Sequence, residues 1–183
     1  STYALKHCVA HLCEGGRRQE ARGLMFRLEY LEECAKLGPA HALVLDGNRV
    51  LSGKKDQAFE LLHSALKLSQ PALQRDPAQL GVQVGGRLLA HLQWPEVKEL
   101  VKSAQSRGWQ PTWPTMEQAG GACLATLGGH SSSVRSIAVD GDRIVSGSED
   151  DTIKIWNTEG ECIKTLKGHH DYVTSVAGGG DRV

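Results

Sequence analysis

The chain has 183 residues, of which 40% are hydrophobic and 23% are charged, a balance typical of a folded globular protein. Its 21 basic side chains equal its 21 acidic ones, which excludes the concentrated positive field of a dedicated nucleic-acid binder or membrane-surface binder. No apolar run approaches the roughly 18 residues that a membrane span needs. The five cysteines are scattered, which predicts reduced thiols and a cytoplasmic location rather than a disulfide framework.

The first 107 residues are rich in Ala, Leu, Glu, Lys, Arg and Gln, and their apolar residues recur at helical spacing. This pattern predicts amphipathic helices over residues 3–14, 18–37, 55–68, 78–92 and 96–106. Gly15-Gly16 and Gly38-Pro39 end the first two, because glycine takes the left-handed cap conformation and proline cannot continue a helix. Residues 1–107 are therefore predicted to form a helical bundle or arm.

Two stretches within this region are predicted not to be helical. Residues 40–45 form a short apolar piece that leads into Asp46-Gly47-Asn48, a combination typical of turns. Pro71 is expected to lie beyond the end of the third helix, because proline disrupts a helix interior. Pro95, in contrast, suits the first turn of the last helix, where its missing N–H would be unpaired anyway.

Composition changes near residue 108, after which short runs of Gly, Ser, Thr, Val and Ile replace the helix-forming residues. Residues 108–120 are predicted to be a linker between the two regions. Two tryptophans and two prolines lie in it, namely Trp109, Pro111, Trp113 and Pro114. We expect the two aromatic rings to hold the linker against one of the regions that it connects.

The second region repeats itself after 39 residues. Residues 121–143 align with residues 160–182 at 12 identical positions of 23, among them the Gly-His pairs at 129–130 and 168–169. A period of about 40 residues with a Gly-His opening and a strand-rich body is typical of β-propeller blades. Strands are predicted over residues 123–127, 134–139, 143–148 and 152–156.

These residues resemble the WD-repeat family. Its unit is a Gly-His pair, a strand, a Ser-Gly-Ser strand, a tight turn with aspartate and a strand that ends in Trp-Asp. Here the order is Gly129-His130, residues 134–139, residues 143–148, Glu149-Asp150-Asp151 and residues 152–156, with Asn157 in place of the last aspartate. The resemblance implies a partial propeller over 121–183, with a first repeat over 121–159 and a truncated second repeat over 160–183.

The resemblance also implies a structural hydrogen-bond chain inside the first blade, made by Trp156, Ser146, His130 and Asp150. Each such bond contributes only about 1 kcal/mol net, but a satisfied chain in a buried site fixes the geometry of its members. His169 is the second-repeat equivalent of His130. The same residue types compose a hydrolase triad, but their spacing favours the structural role.

The helical region resembles the arm of those NB-ARC and NACHT signal-transducing NTPases that end in WD repeats. The resemblance rests on YALKHCVAHLCEGG at 3–16, Leu45-Asp46 and ALKLSQPALQRDPAQLGVQV at 65–84, all ahead of the Gly-His repeats. In such proteins the order is nucleotide-binding module, winged helix, helical arm and propeller. This chain would then begin after the winged helix and stop within the first blades.

The sequence predicts no nucleotide site. The segment Ser52-Gly53-Lys54-Lys55 departs from the phosphate loop G-x-x-x-x-G-K-[ST], because Asn48 stands where the first glycine belongs and Lys55 replaces the hydroxyl residue. A turn with solvated lysines is the more ordinary interpretation. We expect no cofactor and no catalytic residue in this chain.

Three groups of residues are weak candidates for metal binding or nucleophilic chemistry. His7 and His11 share a helix face and could hold zinc, but Cys8 and Cys13 point elsewhere on that helix. His169-His170-Asp171 is better explained by the blade pattern and a loop. Cys34 lacks a paired histidine or acidic base in any recognisable motif. We therefore predict no metal site.

The leading hypothesis is a non-catalytic protein–protein interaction scaffold, as a fragment of a larger WD-repeat signal-transducing NTPase. The resemblance implies that the propeller acts as sensor or autoinhibitory lid and that the arm transmits its position to a nucleotide switch. One alternative is a stand-alone WD-repeat adaptor, for example for substrate recruitment to a ubiquitin ligase. Another is an enzyme whose catalytic domain lies outside this segment. The expected partners are other proteins that bind the completed propeller, with oligomerisation in the full-length protein also open.

Overall fold

The computed structural model describes residues 2–52, 55–108 and 111–178, and the chain divides into two compact units. We name them the helical unit, Ser1–Thr126, and the sheet unit, Leu127–Val183. In the described residues, seven α-helices lie in the first and a four-stranded antiparallel sheet lies in the second. The predicted fold class, helices followed by a partial propeller-type sheet, is confirmed.

The helical unit buries one continuous apolar core. Its helices α1–α7 span Thr2–Glu14, Arg18–Met25, Leu28–Leu37, His41–Leu51, Gln57–Arg75, Leu80–Leu88 and Pro95–Gln105. Short 3-10 turns, Pro77–Gln79 and Leu89–His91, flank α6, so the helix predicted over 78–92 is shorter than expected. Pro95 occupies the first turn of α7, as the sequence suggests. The largest fully buried side chains include Met25, Leu31, Phe59, Leu62 and Leu66.

The single helix predicted over 18–37 is two helices, α2 and α3. The chain leaves the helical path at Arg27, whose backbone is extended (φ −92°, ψ 115°). Phe26 closes α2, and its ring packs edge-on against Phe59 with ring centroids 5.9 Å apart. The apolar periodicity continues across this break because both helices pack on the same core. Periodicity alone therefore missed it.

Asp46-Gly47-Asn48 is helix, not turn, and lies in the middle of α4. Gly47 faces α5, where a β-carbon built on it would lie 2.4 Å from Cδ2 of His63. The absence of a side chain thus lets the two helices approach closely. The cost of glycine in a helix interior is offset by this packing, which the local sequence does not show.

Helix α5 continues through Pro71 and ends seven residues later than predicted, at Arg75. Leu66, Leu68 and Leu73, on both sides of the proline, are each at most 3% exposed. Burial of both halves offsets the backbone hydrogen bond that proline removes. The helix begins with a side-chain cap, because Oδ1 of Asp56 accepts a hydrogen bond of 3.1 Å from the backbone N–H of Phe59.

The segment predicted to be a linker is packed on the helical unit over its described part. The backbone N–H of Ala119 donates to the carbonyl oxygen of Arg87 at 3.0 Å, and Ala119 is 2% exposed. The side-chain amide of Gln118 donates to the carbonyl oxygen of Gly86 at 3.1 Å. The tryptophans do not explain this packing, because Trp113 is 74% exposed and Trp109 lies outside the described residues.

The sheet unit contains four strands in the order β1-β2-β3-β4, each antiparallel to its neighbour. They span Val134–Asp140, Arg143–Ser148, Thr152–Trp156 and Cys162–Lys167. The fourth strand comes from the second repeat. Its counterpart in the first repeat, residues 123–127, was predicted to be a strand but has no regular secondary structure, since no neighbouring strand pairs with it.

Strand register places alternate side chains on two faces of the sheet. The tryptophan face carries Ile137, Val139, Ser146, Lys154 and Trp156. The glycine face carries Ser136, Ala138, Val145, Gly147 and Ile155. The second repeat covers the glycine face, because the backbone N–H of Val173 donates to the carbonyl oxygen of Ser148 at 3.0 Å and its side chain contacts Gly147.

Candidate functional site

The four side chains singled out from the sequence meet on the tryptophan face. Ser146 lies in the middle of β2 and Trp156 ends β3, whereas His130 lies in the loop before β1 and Asp150 in the turn between β2 and β3. Gly129 has a positive φ of 154°, and a β-carbon there would lie 3.2 Å from the Trp156 ring. Glycine therefore allows the loop to place His130 over the indole.

The four side chains form one continuous hydrogen-bond chain. The indole Nε1–H of Trp156 donates to Oγ of Ser146 at 2.8 Å. Oγ of Ser146 lies 2.8 Å from Nε2 of His130, and Nδ1 of His130 lies 2.9 Å from Oδ2 of Asp150. With Nδ1–H donating to the carboxylate, Nε2 accepts from the Ser146 hydroxyl, so each donor has an acceptor along the chain.

Two residues that the sequence argument missed complete the aspartate end of the chain. The Thr152 hydroxyl donates to Oδ1 of Asp150 at 2.6 Å, and the backbone N–H of Ser131 donates to Oδ2 at 2.9 Å. Burial alone would raise the pKa of Asp150, but hydrogen bonds from Thr152, Ser131 and His130 hold it well below its ordinary value. The Asp-x-Thr spacing of an Asx turn was the signal that could have identified Thr152.

This geometry contains the contacts of a hydrolase triad, but access to the serine differs from that of a nucleophile. Ser146 is 5% exposed, and its oxygen contacts both the indole N–H and the imidazole. The imidazole and the carboxylate are also buried, with side-chain exposures of 5% and 9%. An attacking oxygen needs open space toward the substrate, so the arrangement favours a structural chain.

His169, the second-repeat equivalent of His130, is not brought into this chain. It is exposed and lines a polar cleft of about 430 Å³ together with Gly129, Lys154 and Lys167. The neighbouring His170 and Asp171 are exposed as well. The second repeat therefore contributes β4 and the cover of the glycine face rather than a second hydrogen-bond chain in the described residues.

The weaker candidates remain separate from one another. His7 and His11 lie on the exposed face of α1 with ring centroids 6.3 Å apart. Throughout residues 2–52, 55–108 and 111–178, no group of three or more His, Cys, Asp or Glu side chains is arranged to hold a metal ion. Burial raises the pKa of the Cys34 thiol, which opposes formation of a nucleophilic thiolate. The lysine-rich segment after α4 falls partly on Gly53 and Lys54, outside the described residues.

No helix within the described ranges combines the length and the apolar character that crossing a membrane requires. The five cysteines are all free thiols.

Comparison with known families assigns the second region. Residues 121–157 and 160–182 match the model of the family described as WD domain, G-beta repeat. Residues 121–182 carry WD repeats. The matched segments contain all four members of the hydrogen-bond chain and all four strands.

A fungal protein shares part of this sequence. Vegetative incompatibility protein HET-E-1 of Podospora anserina is 47% identical over 64 residues, which cover 34% of this chain and 5% of that protein. The chain therefore spans a small part of the length of the curated relative that it matches.

Proposed function

We propose that this chain is a non-catalytic protein–protein interaction scaffold, the sensor or regulatory region of a larger WD-repeat signal-transducing NTPase. The WD repeats act through protein contacts made by a completed propeller, and the helical unit transmits the position of that propeller to a nucleotide switch. The location that fits free thiols and the absence of a basic field is the cytoplasm, with proteins rather than nucleic acid as partners.

The observation that carries the proposal is the division of labour on the tryptophan face. The polar residues that could perform chemistry are buried and bonded to one another. The residues left exposed there are apolar, with Ile137 at 66% and Val139 at 71%. A surface of this kind serves contact with other protein rather than catalysis.

The regulatory part of the proposal rests on sequence resemblance and on the relative. The arm-like motifs of residues 3–84 precede the WD repeats in the order found in NB-ARC and NACHT proteins. The matched relative is named for vegetative incompatibility, a response that involves signalling.

The test uses the natural polypeptide that contains this chain. Its reading frame should encode a G-x-x-x-x-G-K-[ST] phosphate loop upstream of Ser1, and the purified polypeptide should hydrolyse a nucleoside triphosphate slowly. Trp156→Phe should raise that basal rate, because a loosened blade would no longer hold the switch closed. Trp113→Phe is the matched control, since Trp113 is exposed and lies outside the hydrogen-bond chain.

An unchanged rate in both variants would exclude the lid role. A reading frame with no phosphate loop would instead favour the stand-alone adaptor, whose WD repeats recruit a substrate for another enzyme.

A further inference from the structure

The tryptophan face of the sheet leaves an apolar strip uncovered beside the buried indole. Ile137 and Val139 of β1 lie on this strip and are 66% and 71% exposed, whereas Trp156 on the same face is 2% exposed. Two neighbouring apolar side chains exposed on one strand are a docking surface that the sheet unit does not itself cover.

The opposite face of the same sheet shows how such a strip is covered. Gly147 has no side chain, and the hollow that it leaves is occupied by Val173 and Val176 of the second repeat. A β-carbon on Gly147 would lie 2.7 Å from Cγ1 of Val173 and 3.0 Å from Cγ1 of Val176. The glycine is therefore a tight receiving site for two apolar side chains.

The 39-residue repeat relates the two observations. Val176 is the counterpart of Ile137, and Val173 is the counterpart of Val134. The side chain that occupies the glycine face in the second repeat therefore corresponds to one that is exposed in the first. We propose that the strip of Ile137 and Val139 docks on the glycine face of another WD sheet, one that carries glycine at the position of Gly147. This inference deepens the proposed scaffold function and rests on it.

The residue after this pair determines which sheet fits. Gly178 is the counterpart of Val139, and a β-carbon on Gly178 would lie 2.7 Å from Cβ of Asp140. A valine at that place cannot lie against an aspartate without displacing it. The partner sheet must therefore carry a smaller residue, such as glycine or alanine, at the position of Asp140. A second copy of this chain is the wrong partner, and the docking selects a non-identical WD sheet.

The test converts this chain into its own partner. In D140G/V173D/V176D, the two aspartates uncover the glycine face and the glycine removes the clash with Val139. Each copy then offers both a strip and a matching face, and a head-to-tail contact of this type forms open-ended chains. Sedimentation velocity should show an average mass that at least doubles as protein concentration is raised.

Two matched variants should remain monomeric under the same conditions. V173D/V176D retains Asp140 and keeps the clash, and I137K/D140G/V173D/V176D destroys the strip. D140G/V173S/V176S is a milder version that perturbs the sheet less. The near-ultraviolet circular dichroism signal of Trp156 reports whether the sheet is folded in each variant.

Equal association with Asp140 present would overturn the size rule, and association that survives I137K would place the contact elsewhere. Monomeric behaviour of folded D140G/V173D/V176D and D140G/V173S/V176S would overturn the docking itself. Loss of the Trp156 signal in both would do so too, because a WD sheet could then not offer a bare glycine face. None of these results bears on the hydrolysis test, which leaves the glycine face intact.

Discussion

The helical unit and the sheet unit are held together by different means. In the helical unit, the amphipathic helices turn their apolar stripes toward one shared core, and large side chains such as Phe59 and Leu62 are completely buried. In the sheet unit, a few buried apolar residues, Val145, Ile155 and Trp156, are accompanied by exposed ones such as Ile137 and Ile163. The helical unit satisfies its own apolar surface, and the sheet unit does not.

The difference indicates where stability comes from in each unit. Apolar burial contributes roughly 25 cal/mol per Å² and requires no particular direction, so many packings of the helices gain from it. A buried hydrogen-bond chain contributes only about 1 kcal/mol per bond but holds its members in one geometry. The sheet unit thus has a defined shape before its faces are covered, which suits a surface that must fit a partner.

Acid should separate the two units, with the largest effect in the helical one. His63 is buried between α4 and α5, where its Nε2–H donates to the carbonyl oxygen of Val44 at 3.1 Å. Burial, helped by the charge of Lys67, lowers the pKa of His63 from 6.5 to about 4. The unfolded chain therefore takes up a proton between pH 6.5 and 4 that the folded chain does not.

The free energy of unfolding of the helical unit should accordingly fall by about 3 kcal/mol as pH drops from 6.5 to 4. The lowered pKa of Asp150 has the opposite origin, and its contribution to the sheet unit is lost only below about pH 4. Denaturant titrations followed at 222 nm measure the helical slope. The variant His63→Gln should flatten it, and a slope that persists in this variant would assign the effect to other groups.

The close approach of α4 and α5 can be tested with a pair of glycines. Gly47→Ala adds a β-carbon that meets the His63 ring at 2.4 Å and should destabilise the helical unit by about 1–3 kcal/mol. Gly23, in α2, is the matched control, because a β-carbon there meets no atom within 4 Å. Gly23→Ala should raise stability by up to about 1 kcal/mol through helix propensity. Equal melting temperatures for the two variants would contradict the packing argument.

The smallest expected effect is in the sheet unit. Trp156→Phe keeps an aromatic ring but deletes the indole donor to Ser146, which should lower the stability of the sheet by about 1–2 kcal/mol. Hydrogen exchange of the β2 and β3 amides measures this loss without relying on tryptophan fluorescence. The helical amides should exchange as before, and undiminished protection of β2 and β3 would count against the role of the chain.

How far the sequence predicted this molecule depends on whether the signal was local. The bounds of β2 and β3 match the predicted strands, because tight turns and alternation define them within a few residues. The break at Arg27 and the helical course through Gly47 depend on contacts with α5, which no local pattern reports. Pro71 was placed outside its helix for the same reason.

The candidate site was predictable to a similar degree. His130, Ser146, Asp150 and Trp156 followed from the family pattern, and the structure places them in one chain. Thr152 was taken only as the start of a strand, since its bond to Asp150 depends on the Asx turn. The importance of Gly147 was also missed, because it follows from an atom of the next repeat rather than from its neighbours in sequence.

The strap formed by Gln118 and Ala119 has a practical consequence for dissecting this protein. A helical fragment cut at residue 107, where the composition suggests a border, would lose Ala119 from its core and would leave the carbonyl oxygens of Gly86 and Arg87 without these donors. Such a fragment would expose a raw apolar patch and invite precipitation. An expressible piece should run through Thr126, where the first unit ends.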